Sequence, residues 1–322
     1  MAMEDTLRSF MDKLKMPDMP GLSGMDWKGS TEGLRNSFYR ASRSVERDLP
    51  DLAELSNLVV DGAEGPLKAR LYVPLAAGIT PAPAIIFFHG GGFVLGDLDT
   101  HDVICRRLAA SSRCRVLSVD YRLAPEHKFP AAHEDAMAAW TWATDRNNIL
   151  GFDPDRIAVA GDSAGGNLSA FIAQESGRRG TIMPAFQLLL YPLVQFVDIR
   201  AKRMTFQEGG FFISPNLFDY FRDSYVGRET DRMDKRVSPL FAPDDDFAGL
   251  APTHMVLCGW DPLKDEGKAY VSKLAAHGVP VTTKEYPGMV HGFMNMTAVS
   301  KPARKAIEEA GLVVGRALGA RE

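Results

Sequence analysis

Residues 157–167 read IAVAGDSAGGN, from Ile157 to Asn167. Four apolar residues, the signature of a short strand buried on both faces, run into Ser163. Gly161 stands two places before that serine and Gly165 two places after it. From Ala164 onward the sequence suits a helix. A strand, a sharp turn carrying a hydroxyl and then a helix is the layout of a nucleophile elbow, with the glycines relieving crowding where strand and helix meet. Alone, a serine spaced between two glycines in this way arises by chance in roughly one chain in ten of this length, so the reading needs support from elsewhere. The stretch is not a dinucleotide fingerprint, because Ser163 occupies the place of the second glycine, and no Gly-Lys-Ser/Thr follows to make a phosphate-binding loop.

A serine hydroxyl becomes a nucleophile only beside a base, and the base needs an orienting partner. On folds with this elbow the chain order is serine, acid, histidine. Three histidines follow Ser163: His254, His277 and His291. His254 begins an apolar strand, at the wrong end of the sheet. His277 precedes Gly278 at the end of a helix, where a cation suits the dipole. His291 lies in a loop, before Gly292-Phe293 and just after a strand, which is where the base belongs. The acid candidates lie in GWDPLKDEG. Asp261 directly follows a strand and is held by Pro262, whereas Asp265 and Glu266 suit the first turn of the next helix; Asp261 is the choice.

Attack on a carbonyl builds negative charge on its oxygen, and preorganised N–H donors must meet it. The apolar run Ala84–Phe88 ends in His89-Gly90-Gly91-Gly92-Phe93. Such a turn brings bare backbone close to an oxyanion, and the N–H of Ala164 would add a further donor.

Working outward, strands and helix-length segments alternate from about residue 56. Strands are expected at 58–60, 69–73, 84–88, 115–119, 157–160, 186–191, 254–258 and 281–286. Helices are expected at 103–111, 131–146, 164–176, 267–277 and 302–318. This alternation means βαβ crossovers and a mainly parallel α/β sheet with helices on both faces. Residues 1–50 differ: Leu7, Phe10, Met11 and Leu14 fall on one helical face before Pro17 and Pro20. Residues 195–235 also break the rhythm, and their many aromatics suggest one or two helices outside the sheet.

Net charge is −4 over 322 residues, with both signs mixed, which argues against nucleic acid as a partner. Cys105, Cys114 and Cys258 are widely spaced and form no metal or disulfide pattern. No leader-like or membrane-spanning apolar run is present, so a cytoplasmic setting and no membrane span are expected. The acidic run Asp244–Asp246 reads as a solvated loop.

In this order and at these separations, HGGGF, DYRLAPEHKFPAA, GDSAGGN, DPLKDEG and HGF resemble the hormone-sensitive-lipase-like carboxylesterases of the α/β-hydrolase fold. The match runs from about residue 56 to the end. The resemblance implies Ser163, Asp261 and His291 as a triad, with Gly91, Gly92 and Ala164 as oxyanion donors. His89, Gly90 and Asp162 would support the site, His89 by tying down the glycine loop, while Tyr121-Arg122 and Pro125-Glu126 would form a buttressing turn. It also implies a helical cap from residues 1–50 and 195–235 over a core of 51–194 and 236–322. Substrate-pocket positions are expected at Phe93, Phe206, Phe211, Phe212 and Leu217, and Met3, Met11, Met16, Met19 and Met25 could line an adaptable lid. The expected activity is hydrolysis of small apolar esters with short to medium acyl groups, without metal or cofactor, in a possible homodimer. A receptor that has lost catalysis and a peptidase on the same fold are the alternatives.

Overall fold

The buried strand expected at 84–88 extends to Ala82–Phe88 and is buried at every position. It is the third of eight strands in the computed structural model, which describes residues 5, 6, 8, 9, 30–46, 48–76, 81–197, 213 and 215–320. The chain runs α1 (Thr31–Ser44), β1 (Leu52–Asp61), β2 (Pro66–Pro74), β3 (Ala82–Phe88), α2 (Asp102–Ser112), β4 (Arg115–Val119), α3 (Ala131–Asp145), β5 (Phe152–Asp162) and α4 (Ala164–Arg179). It continues as β6 (Phe186–Leu190), α5 (Pro215–Tyr225), β7 (Thr253–Trp260), α6 (Lys264–Ala276), β8 (Val281–Val290) and α7 (Lys301–Ala317). Leu7, Phe10, Met11 and Leu14, which define the apolar face expected of an N-terminal helix, and the five lid methionines lie outside the described residues.

The strands form one sheet in the order β1-β2-β4-β3-β5-β6-β7-β8. The pairs β1/β2 and β2/β4 are antiparallel, and all later pairs are parallel. Alternation along β3 builds two cores. Ile86 and Phe88 face one layer with Trp140 of α3 and Phe171 of α4. Ile85 and Phe87 face the other with Leu108 of α2 and Ile307 and Val314 of α7. Each such side chain removed from water stabilises the fold by about 1.5–3 kcal/mol.

Several strands outrun their apolar centres. β5 begins at Phe152 rather than Ile157, because Phe152 pairs with Ala82 across an irregularity that takes up Asp153-Pro154-Asp155-Arg156. β1 spans ten residues as an antiparallel edge strand, fully buried only at Val60. The acidic run is corrected at one position, since Asp244 and Asp245 are exposed as expected. Asp246 is buried rather than solvated, because Arg178 and Lys235 neutralise it, the latter at 2.9 Å. No helix among the described residues is long and apolar enough to cross a membrane. Parallel strands point β3, β5, β7 and β8 the same way, so the segments after them gather at one end of the sheet, where ligands of such sheets bind.

Candidate active site

Ser163 joins β5 to α4 at φ 53°, ψ −115°. A residue other than glycine at positive φ carries strain of order 1–3 kcal/mol unless its surroundings hold it. Its N–H donates to the Leu190 carbonyl at 2.9 Å, and its own carbonyl accepts from Asn167 at 3.1 Å and Leu193 at 3.0 Å. The flanking glycines answer a steric demand: a Cβ on Gly165 would stand 1.8 Å from the Phe88 carbonyl oxygen, and one on Gly161 would stand 2.3 Å from the Gly165 backbone.

The three widely separated side chains meet. His291 Nε2 lies 2.9 Å from Ser163 Oγ, and His291 Nδ1 lies 2.8 Å from Asp261 Oδ2. With a carboxylate at Nδ1, that nitrogen carries the proton and Nε2 accepts from the serine hydroxyl. Asp261 Oδ1 accepts from the Leu263 N–H at 2.8 Å, which fixes the carboxylate. All three residues are buried. The Tyr191 ring meets the imidazole edge to face at 5.0 Å. The alternatives fall away by position. His254 bonds Thr282 at the start of β7, His277 Nδ1 donates to Lys273 O after α6, and Asp265 and Glu266 stand in the first turn of α6.

The glycine loop leaves β3 beside this group. Gly90 N–H donates to Asp162 Oδ1 at 2.8 Å, tying the loop to the elbow. Burial alone would raise the Asp162 carboxyl, but His101, whose Nε2 lies 3.4 Å away, and the Gly90 N–H outweigh it and hold the carboxyl below the usual range. His89 donates through Nδ1 to the Gly90 carbonyl at 2.8 Å and stacks on Tyr121 at 4.4 Å. Tyr121 donates its hydroxyl to the His89 carbonyl at 2.7 Å, so the Tyr121-Arg122 motif does sit under the loop. Burial, then His101, pushes His89 down to about 4. Gly91 accepts from Val94 and Leu95, closing a turn. The N–H groups of Gly91, Gly92 and Ala164 have no protein acceptor among the described residues.

The pocket expectations fare differently. Phe206, Phe211 and Phe212 lie outside the described residues. Phe93 is wholly buried, stacked on Tyr225 of α5 at 4.1 Å, and Leu217 is buried as well. Both belong to the apolar cluster that also holds Phe196, Phe218 and Phe221.

Sequence reasoning missed a polar chain behind the site. Asn167 Nδ2 donates to the carbonyls of Leu193 and Val237. Its Oδ1 therefore accepts from His133 Nε2 at 2.9 Å, and His133 Nδ1 accepts from the Tyr225 hydroxyl at 2.6 Å. Burial lowers His133 to about 4, so it is neutral. Nothing local marks His133, a histidine on the apolar face of a helix. Among the described residues no group of three His, Cys, Asp or Glu side chains could hold a metal ion.

A family model described as the alpha/beta hydrolase fold matches residues 85–295. The carboxylic ester hydrolase LipN of Mycobacterium tuberculosis is 41% identical, covering 76% of this chain and 65% of LipN. Esterase LipI of the same organism is 39% identical over 86% of this chain and 87% of LipI. Among solved structures, ester hydrolase EH1AB1 from the metagenome of Lake Arreo, complexed with a derivative of bipyridine phosphonate, is similar at a TM-score of 0.91. It is 40% identical, covering 99% of this chain and all of that one.

Proposed function

The chain belongs to the hormone-sensitive-lipase-like carboxylic ester hydrolases of the α/β-hydrolase superfamily, and on that premise we propose that Ser163, His291 and Asp261 carry its reaction by acyl transfer. Ser163 Oγ attacks the ester carbonyl carbon while its proton passes to His291 Nε2. Asp261 keeps the imidazole in the required tautomer and stabilises its cation. The carbonyl oxygen, now negative, is met by the N–H groups of Gly91, Gly92 and Ala164, with the N-terminus of α4 adding positive potential. Loss of one such donor costs about 3–4 kcal/mol of transition-state stabilisation. The intermediate collapses as the bond to the alcohol oxygen breaks and His291 returns the proton to that oxygen. Water then gives a proton to His291 as its oxygen attacks the acyl-serine carbonyl; the bond to Ser163 Oγ breaks, His291 returns the proton to that oxygen, and the acid leaves.

The observation that carries this reading is the unbroken line Ser163–His291–Asp261, at 2.9 and 2.8 Å. We assign residues 1–50 and 195–235 to a cap over the catalytic core. The reading is supported by a hydrogen bond of 2.7 Å between Thr31 of α1 and Tyr220 of α5. Aromatic crowding beside the glycine loop favours esters of short to medium acyl length. A cytoplasmic location is supported by Cys105, Cys114 and Cys258, all unpaired and buried. A homodimer also belongs to the proposal.

The test is turnover of p-nitrophenyl esters from acetyl to dodecanoyl by the wild type and by Ser163→Ala. The wild type should give its highest kcat/KM at the shorter chains, and the variant should lose on the order of 10⁴-fold or more. Retained activity in the variant would refute the nucleophile, and a preference for dodecanoyl would refute the substrate class.

A further inference from the structure

Helix α1 sends one side chain to the loop that carries the oxyanion donors. Arg35 Nε donates to the Val94 carbonyl at 2.8 Å, and Nη2 donates to the Ala124 carbonyl at 2.8 Å. Nη1 and Nη2 also grip the Glu126 carboxylate at 2.9 and 2.7 Å. Val94 belongs to the turn that Gly91 opens, since the N–H groups of Val94 and Leu95 both donate to the Gly91 carbonyl. The intervening Phe93 carbonyl accepts from Ala124 N–H at 2.8 Å. Two successive carbonyls of the loop are thus held from outside, one by Ala124 and the next by Arg35.

An ion pair as exposed as Arg35–Glu126, at 30% and 52%, adds little to stability by itself. Its effect here is geometric. The paired carboxylate fixes the plane of the guanidinium, and the fixed plane aims Nε and Nη2 at two different carbonyls. A lysine ammonium, a single point charge, cannot make that fork.

We propose that Arg35 is a positioning residue for the oxyanion hole: it locks the Gly91–Leu95 turn against the Ala124–Glu126 turn and so sets where the Gly91 and Gly92 N–H groups point. The inference rests on the oxyanion roles assigned above. It gives the N-terminal segment, which bears no catalytic motif, a specific part in transition-state stabilisation.

The experiment compares wild type, Arg35→Lys, Arg35→Met and Glu126→Gln, with rates divided by the number of sites titrated to end-point with a p-nitrophenyl phosphonate. In both Arg35 variants kcat per site should fall about 10–30-fold with KM within about twofold, and the Ki of a trifluoromethyl ketone matching the acyl chain should rise by the factor lost in kcat/KM. A merely structural role would lower the number of titrated sites and leave each remaining site unchanged. Kcat per site within twofold of wild type, or a rise in KM alone, would overturn the proposal. Glu126→Gln, which leaves both carbonyl bonds, should lose about two- to threefold per site. If neither Arg35 variant folds, an unchanged Glu126→Gln overturns the proposal. A wild type with no titratable serine would instead overturn the catalytic assignment, so the two failures are separable.

Discussion

The ring of Phe221, on α5, lies 2.3 Å from where a Cβ on Gly92 would stand. The loop that would bind the oxyanion and the aromatic helix above it are therefore in bare contact, with no room for a methyl group. Tyr225, one turn further along α5, stacks on Phe93, the next residue of the same loop.

This contact makes Gly92 sensitive to the smallest substitution. Gly92 sits at φ 63°, where an L side chain costs about 1–2 kcal/mol, and the methyl would also collide with Phe221. In Gly92→Ala, kcat should drop on the order of 10²-fold, the scale of losing one donor. In a Phe221→Ala background the same substitution should cost only about tenfold, because the collision is gone and the backbone strain remains. Equal losses in both backgrounds would show that the two residues do not press on each other.

Gly165→Ala tests the elbow as a packing problem. The methyl would meet the backbone of Phe88 and His89 and no flexible side-chain end, so relief requires moving β3 or α4. A loss of roughly 3 kcal/mol or more is expected, at the upper end of overpacking costs. Urea unfolding of the two proteins measures it, and a difference under about 1 kcal/mol would contradict the steric reading.

The buried histidines set an acid limit on stability. His133 and His89 are held neutral down to about 4 by burial, whereas an unfolded imidazole takes its proton near 6.5. Between those values the unfolded chain binds more protons, so this contribution is complete above about 6.5 and is lost as pH falls toward 4. Each histidine supplies up to about 3 kcal/mol of that dependence. Unfolding free energies at pH 7 and pH 4.5 should differ less in His133→Asn than in the wild type. An unchanged pH dependence would mean that His133 is not the buried neutral group described.

The elbow, the glycine loop and the order serine, aspartate, histidine were legible because chemistry and backbone sterics leave few residue types at those places. Gly165 has a carbonyl 1.8 Å from its missing Cβ, and a base must follow the last strand, as His291 does. Strand ends were less legible. Pro154 and three charged neighbours mask the start of β5, which tertiary pairing with Ala82 nonetheless extends. Asp246 reads as solvated because its cations lie at Arg178 and Lys235, outside any local pattern. Phe93 stands at a positive φ of 63° with its ring stacked on Tyr225, a partner far along the chain that no local pattern encodes. Arg35 and His133 act across separations of 59 and 34 residues or more, which no periodicity encodes.

The most direct measurement is the mass of the chain after reaction with excess p-nitrophenyl alkylphosphonate, followed by peptide mapping. A bond from Ser163 Oγ to phosphorus should form as p-nitrophenolate leaves, giving one phosphonyl group per chain on Ser163, with activity lost in step and no adduct in Ser163→Ala. A chain that turns over esters while Ser163 stays unmodified, or that takes its single adduct on another side chain, would contradict the nucleophile assigned to it.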